Sequence, residues 1–326
     1  RQTRAAERAA PPRGRFVTVD GVRLHFSVHG RDESPQTVVL LHGSGLTAEE
    51  MALSGLVEPL AQRYRVVVIE RPGHGHSEQA RASDPREQAD LIHAALARLG
   101  VADPIVVGHS WGALVALAMG LRHGRDVGSL VLMSGYYFPS LRLDRPLLAA
   151  SALPLLGPLL RHTLSPLVGR LLWPLARWRM FSPGAAPAAF RARYPVWMSL
   201  RPSQLAASAA EAAALLPAVR ALGPHYGELQ VPAVLVAGGS DRVLSTRWHS
   251  ARLHDELERS WLRVVEGAGH MVHHAAARQV VAAVDQAAAM VWDRSLLLRP
   301  STGLKAGEVP APAPRPMPLP CTASRL

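Results

Sequence analysis

At 326 residues and 48% hydrophobic content, the chain can bury a large core, and one α/β domain carrying an insertion accounts for its length. The formal charge of +11 invites a nucleic-acid reading, but Lys305 is the only lysine, the arginines are scattered and no basic block alternates with aromatics, so no nucleic-acid partner is expected. The lone Cys321 excludes an intrachain disulfide and any cysteine-built metal site.

Residues 1–14, rich in Arg and Ala and ending near Pro11-Pro12, read as a disordered lead-in able to touch an anionic membrane surface. A start at Arg1 rather than methionine is compatible with a signal or anchor ahead of it, so the compartment stays open between cytoplasm and membrane or exterior. Asp20-Gly21 between the alternating runs Arg15 to Val19 and Val22 to Val28 predicts a hairpin. Thr37 to Leu41 predicts a buried strand that runs into the glycine-rich loop His42-Gly43-Ser44-Gly45. Helix from Ala48 to Gln62, strand from Arg65 to Ile69, a loop through Ser77 and helix from Pro85 to Leu99 follow.

Ile105 to Val107 is a buried strand, Gly108-His109-Ser110-Trp111-Gly112 a very tight turn, and the residues from Trp111 a helix; Ser129 to Met133 is a further strand. Short apolar strands alternating with helices predict an α/β fold, its mostly parallel sheet flanked by helices. From Tyr136 to Glu228 the strand pattern stops, and a Leu-, Pro-, Ala- and Trp-rich stretch predicts a helical insertion over the C-terminal edge of the sheet. Its longest uncharged run, Pro146 to Leu160, is broken by Pro154, Gly157 and Pro158 and is shorter than the ~20 apolar residues of a spanning helix. Strands resume at Ala233 to Ala237 and Trp261 to Val265 with a helix between them, and a last helix runs from Ala275 to Trp292. The stretch 294–326, with proline at every second position from 310 to 320, reads as a disordered tail with an exposed Cys321 and a candidate ligand for proline-binding modules.

A serine at so sharp a bend, at a helix N-terminus, is a candidate nucleophile that needs a base and an acid to orient it. Two later strands end in suitable groups, Gly239-Ser240-Asp241 and Gly267-Ala268-Gly269-His270. Asp241 could also be a turn-capping aspartate, and His270 competes with His273 and His274. These last three histidines lack a matching carboxylate, so no metal site is expected. His74, His76 and His109 lie near the site by topology and read as structural or pocket-lining.

With His42-Gly43-Ser44-Gly45, Arg71-Pro72-Gly73-His74-Gly75-His76-Ser77, the serine turn, Gly239-Ser240-Asp241 and Gly267-Ala268-Gly269-His270 all in family order, the chain from Arg15 to Trp292 resembles α/β-hydrolase-fold serine hydrolases of the esterase and lipase kind with a helical cap. The resemblance implies a core of 15–135 and 229–293 and a cap of 136–228. It implies Ser110 as nucleophile, Asp241 as orienting acid and His270 as general base. Backbone N–H groups of Ser44 and Trp111 would form the oxyanion hole, with no cofactor and no metal.

Relatives that open epoxides or remove halide carry aspartate at this turn, and Ser110 points away from those chemistries. The expected activity is hydrolysis of a carboxylic ester of a small, moderately hydrophobic substrate through an acyl-enzyme. Leu155, Leu156, Leu159, Leu160, Leu171, Leu172, Trp173, Trp178 and Trp197 of the cap are expected to provide the apolar acyl or alcohol site. Alternatives are a carbon-carbon bond hydrolase, whose loop His42-Gly43-Ser44-Gly45 resembles although Leu46-Thr47 depart from it, and a cofactor-free perhydrolase. A low-turnover ligand-binding protein and a membrane-associated scaffold using the apolar cap complete the field. The oligomeric state is left open.

Overall fold

The computed structural model describes residues 2–80, 83–140 and 156–298. In chain order the elements are α1 (Gln2–Ala9), β1 (Arg15–Val19), β2 (Val22–His29), β3 (Thr37–Leu41), α2 (Glu49–Leu53), α3 (Val57–Ala61), β4 (Arg65–Ile69), α4 (Pro85–Arg98), β5 (Ile105–His109), α5 (Trp111–Arg122) and β6 (Ser129–Met133). The insertion supplies α6 (Leu156–His162), α7 (Leu164–Phe181), α8 (Ala188–Arg193), α9 (Val196–Ser199) and α10 (Pro202–Leu222), which runs into a 3-10 turn at Gly223–Glu228. The chain then returns through β7 (Ala233–Gly238), a π-helical turn at Arg247–Ala251, α11 (Arg252–Glu256), β8 (Ser260–Val265), α12 (Val272–Ala275) and α13 (Ala277–Leu298).

The eight strands form one sheet in the order β1-β2-β4-β3-β5-β6-β7-β8. The β1-β2 and β2-β4 pairs are antiparallel and all others parallel. The hairpin forms as its sequence requires: Asp20 and Gly21 both have positive φ, 49° and 78°, as a two-residue turn matching strand twist demands. β3, β5 and β6 are buried at every position, the consequence of β-branched runs covered on both faces. Alternate side chains divide between two cores. Val39, Leu41, Val67, Ile69 and Val106 pack with α4 and α5, while Val38, Leu40, Val66, Val68 and Val107 pack with Val280, Ala283, Val284 and Ala287 of α13.

Several expectations are corrected. Residues 2–9 are helix α1 rather than a disordered lead-in: its Ala, Arg, Gln and Glu residues are strong helix formers, Ala6 is buried, and Glu7 pairs with Arg201 at 2.8 Å. The helix expected from Ala48 to Gln62 is broken into α2 and α3 at Gly55, whose φ is 81°. Tyr136, Tyr137 and Phe138 belong to the body, packed in the same core as α5 with Leu215, Val219 and Leu222 of α10, so the insertion leaves and re-enters the body inside its expected bounds. The last helix extends to Leu298. Most of the proline-rich stretch, with Cys321, lies outside the described residues, as does Leu155. The helical run Pro202–Glu228 is long and apolar enough to cross a membrane by length and composition alone. Its Glu211 and Gln204 are nevertheless buried and bonded to the loops under the cap, as befits a helix packed on the body.

Candidate active site

Ser110 is held at φ 53° and ψ −111° between β5 and α5, a region that costs a non-glycine residue about 1–3 kcal/mol. The glycines on either side show why the chain can afford no bulk there. A Cβ on Gly108 would strike the Gly112 carbonyl, and one on Gly112 would strike the carbonyls of Leu41 and His42. The Ser110 N–H donates to the Met133 carbonyl at 2.8 Å, tying the bend to β6. His109 and Trp111 are buried while Ser110 itself is half-buried.

Asp241 follows β7 and does two things at once. One oxygen, Oδ1, accepts the N–H groups of Val243 at 2.7 Å and Leu244 at 2.9 Å; the other accepts from His270 Nδ1 at 2.8 Å. Burial would raise this carboxyl, but the His270 imidazole and the two amides hold it below its ordinary value. The loops after β7 and β8 lie side by side, with Gly239 N–H donating to Val265 at 2.9 Å and Ser240 N–H to Ala268 at 2.9 Å. His109 Nε2 donates to the His270 carbonyl at 3.1 Å, and the two rings are 4.9 Å apart. The structure therefore brings Asp241 and His270 into contact and fastens His270 to the neighbour of Ser110. With its proton on Nδ1, the imidazole leaves Nε2 as an acceptor.

The loop His42-Gly43-Ser44-Gly45 passes beside this bend: a Cβ on Gly43 would lie 3.3 Å from Ser110 Cβ. Arg71, fully buried, holds the loop by donating to the carbonyls of His42 at 2.8 Å and Gly43 at 3.0 Å. The same guanidinium bonds Gln88 at 2.9 Å and makes a close ion pair with Glu211 of α10. Burial raises the Glu211 carboxyl, and Arg71, His74 and the Ser44 hydroxyl bring it below its ordinary value. A guanidinium so far from water is tolerated because it has this many acceptors.

Residues 38–284 match the Alpha/beta hydrolase family. The chain belongs to that family. Among its curated relatives, a 2-hydroxy-6-oxononadienedioate/2-hydroxy-6-oxononatrienedioate hydrolase of Dechloromonas aromatica is 30% identical over 237 residues, 71% of this chain and 80% of the relative. A second such hydrolase, from Pseudomonas putida, is 39% identical over 127 residues, 37% of this chain, and the match spans only 44% of that relative's length. The enol-lactonase of Burkholderia xenovorans LB400 has the same fold, with a TM-score of 0.68 and 19% identity over 84% of this chain and 100% of that one. An esterase of Thermogutta terrifontis is similar, with a TM-score of 0.66 and 19% identity over 85% and 99%.

In this alpha/beta hydrolase family member, sequence reasoning missed a second buried cluster beside the first. The expectation that the histidines after Gly269 lack a carboxylate is overturned by Glu50 of α2: its Oε2 accepts from His273 Nε2 at 2.7 Å and His274 Nε2 at 3.2 Å. Burial raises Glu50, and His273, His274 and His109 hold it well below its ordinary value. Burial keeps His273 low despite Glu50, so the carboxylate receives the N–H of a neutral His273 imidazole, with the His274 N–H as its second donor. Among the described residues, these three donors, within 4.8 Å of one another, are the one group with the spacing to hold a cation. Arg71, Gln88, Gln204 and Glu211 were also missed in these roles. Arg71 stood in a quoted motif, but nothing local tied it to a residue 140 positions away.

Four of the nine apolar cap residues expected to provide the acyl or alcohol site face solvent instead. Leu159, Leu171, Leu172 and Trp178 are exposed. Trp173 turns inward and stacks on Tyr194 at 5.5 Å.

Proposed function

We propose that this family member is a serine hydrolase that cleaves a carboxylic ester of a small, moderately hydrophobic substrate. The observation that carries the reading is the Asp241–His270 bond through Nδ1 at 2.8 Å, beside a serine held in a strained bend. In this reading His270 Nε2 takes the Ser110 hydroxyl proton as Oγ attacks the acyl carbon. The N–H groups of Ser44 and Trp111 receive the oxyanion, each contributing on the order of 3 kcal/mol to lowering the barrier. His270 then protonates the departing alcohol and activates the water that releases the acid from Ser110. Asp241 stays ionised throughout, as its lowered pKa favours. Arg71 acts at one remove: by holding the carbonyls of His42 and Gly43 it fixes where the Ser44 N–H points.

A second reading, hydrolysis of a carbon-carbon bond, is favoured by the Dechloromonas aromatica relative and by the His42-Gly43-Ser44-Gly45 loop. The name of that relative's substrate describes a dicarboxylate, which a buried site must meet with cations. The two buried arginines among the described residues are committed elsewhere, Arg71 to Glu211 and Arg201 to Glu7 and the Gly75 carbonyl. This supports an uncharged ester. Turnover of a p-nitrophenyl ester series from acetate to laurate, measured against a 2-hydroxy-6-oxo-dienedioate, tests the choice. The ester reading expects the highest kcat/KM on a short to medium acyl chain, and a kcat/KM more than about 100-fold higher on the dienedioate overturns it.

A further inference from the structure

Helix α7 is apolar on two opposite faces. Inward, Trp173 stacks on Tyr194 and Phe181 packs on Phe190 at 4.9 Å, and Pro166 is buried. Outward, Leu164, Leu167, Leu171, Leu175 and Trp178 recur at helical spacing, and every one is more than half exposed, Leu171 reaching 78%. Val168 and Leu172 widen the stripe, and Leu159 of α6 adds to it. A helix on the surface of a water-facing domain carries its polar residues on this side; a continuous apolar stripe there marks a contact surface.

The charges beside the stripe specify the contact. From Arg145 to Ala210 there is no aspartate or glutamate, against eight arginines. Exposed Arg170 borders the stripe beside Leu167, exposed Arg179 continues the column of Val168 and Leu172, and half-buried Arg177 lies further round toward the inward face. We propose that this face docks on an anionic phospholipid bilayer, its leucines and Trp178 entering the acyl boundary while the arginine heads reach the phosphates. A second copy of the chain fits poorly, because a two-fold contact sets this carboxylate-free face against itself. The C-terminal stretch 299–326 fits no better, with one carboxylate, Glu308, against Arg299, Lys305, Arg315 and Arg325.

The docked helix lies close to the candidate active site. Met271 N–H donates to the Met180 carbonyl at 3.2 Å, and a Cβ on Gly269 would strike the carbonyl of Ser182, so the end of α7 abuts both neighbours of His270. Docking stands whether or not Ser110 cleaves esters.

Co-sedimentation of the full chain with vesicles of phosphatidylcholine alone, or with about 30% phosphatidylglycerol, tests the proposal at near-physiological salt. The wild type binds the anionic vesicles more tightly than the neutral ones. Leu171→Glu with Leu175→Glu weakens binding to the anionic vesicles at least ~10-fold. Arg170→Gln with Arg179→Gln removes roughly 10-fold on anionic vesicles and little on neutral ones. Circular dichroism and hydrolysis of p-nitrophenyl butyrate in solution stay at wild-type levels in both variants. A wild type that stays in the supernatant, or leucine variants that sediment as well as wild type, overturns the proposal. So does a wild-type dimer that the leucine variants convert to monomer with no change on vesicles, which assigns the face to a second copy.

Discussion

Two buried carboxylate-imidazole pairs both reach the His109 ring, which lies 4.9 Å from His270 and 4.4 Å from His273. Their bonds are nearly the same length, 2.8 Å for Asp241 to His270 and 2.7 Å for Glu50 to His273. What differs is the ring nitrogen that is bonded. Asp241 takes Nδ1, the nitrogen beside the backbone, and leaves the outer Nε2 of His270 to accept a proton from a neighbour. Glu50 takes Nε2 of His273, and the Nδ1 left over is buried without a partner. Under the proposed function the first orientation makes the pair a proton relay for Ser110, and the second makes it a structural tie.

Exchanging the acids for amides is the largest test of that contrast. Asp241→Asn should lower kcat by about 10⁴-fold, because an amide favours the wrong imidazole tautomer, with a small change in Tm. Glu50→Gln should do the reverse, lowering stability by roughly 2–4 kcal/mol as two buried N–H donors lose a charged acceptor. In the protein that remains folded, kcat should stay within about 10-fold of wild type; steady-state kinetics and urea unfolding on the same samples read both.

Next in size is Glu211→Gln, which leaves the Arg71 charge buried with neutral acceptors only. Loss of about 3–5 kcal/mol in unfolding free energy is expected. A kcat effect beyond the loss of folded protein reports the strain passed from Arg71 to the loop at Gly43. A double substitution removing both charges, Arg71→Met with Glu211→Leu, should recover part of the stability and none of the kcat.

The smallest effects are spread over pH. Burial lowers the pKa of His42, His74, His109 and His273 below the ordinary 6.5, so the unfolded chain binds their protons first. Their contribution to stability is whole above pH 6.5 and is lost as pH falls below it, at up to about 1.4 kcal/mol per pH unit for each. Asp241 and Glu50 are depressed carboxyls; their contribution is present above about pH 4 and lost only as pH falls through their lower folded values. Unfolding free energy measured from pH 7.5 to 4.5 should therefore decline chiefly through these buried histidines, and His109→Asn should make that decline shallower.

The fold was legible because β3, β5 and β6 carry their strand signal locally, and the serine turn is written in five consecutive residues with glycines where backbone meets backbone. Asp241 and His270 were legible for the same reason, each at the end of a strand with turn residues before it. Glu50 and Glu211 were not, since a carboxylate inside a helical run carries no mark of the partner that buries it; His273 lies 223 positions from Glu50. The cap misled in a different way. Leucines at helical spacing read as a pocket lining, but α7 is apolar on two opposite faces, and periodicity cannot tell which of them turns inward. The lead-in was misread because its charge outweighed its helix propensity, and the pairing of Glu7 with Arg201 reaches across 194 positions.

Labelling with a fluorophosphonate, followed by peptide mapping, addresses the central claim that Ser110, His270 and Asp241 act as one unit. The account predicts a single adduct on Ser110, none in Ser110→Ala, and labelling slowed at least ~10³-fold in His270→Ala. An adduct on another serine, or undiminished labelling of Ser110 without His270, would contradict it.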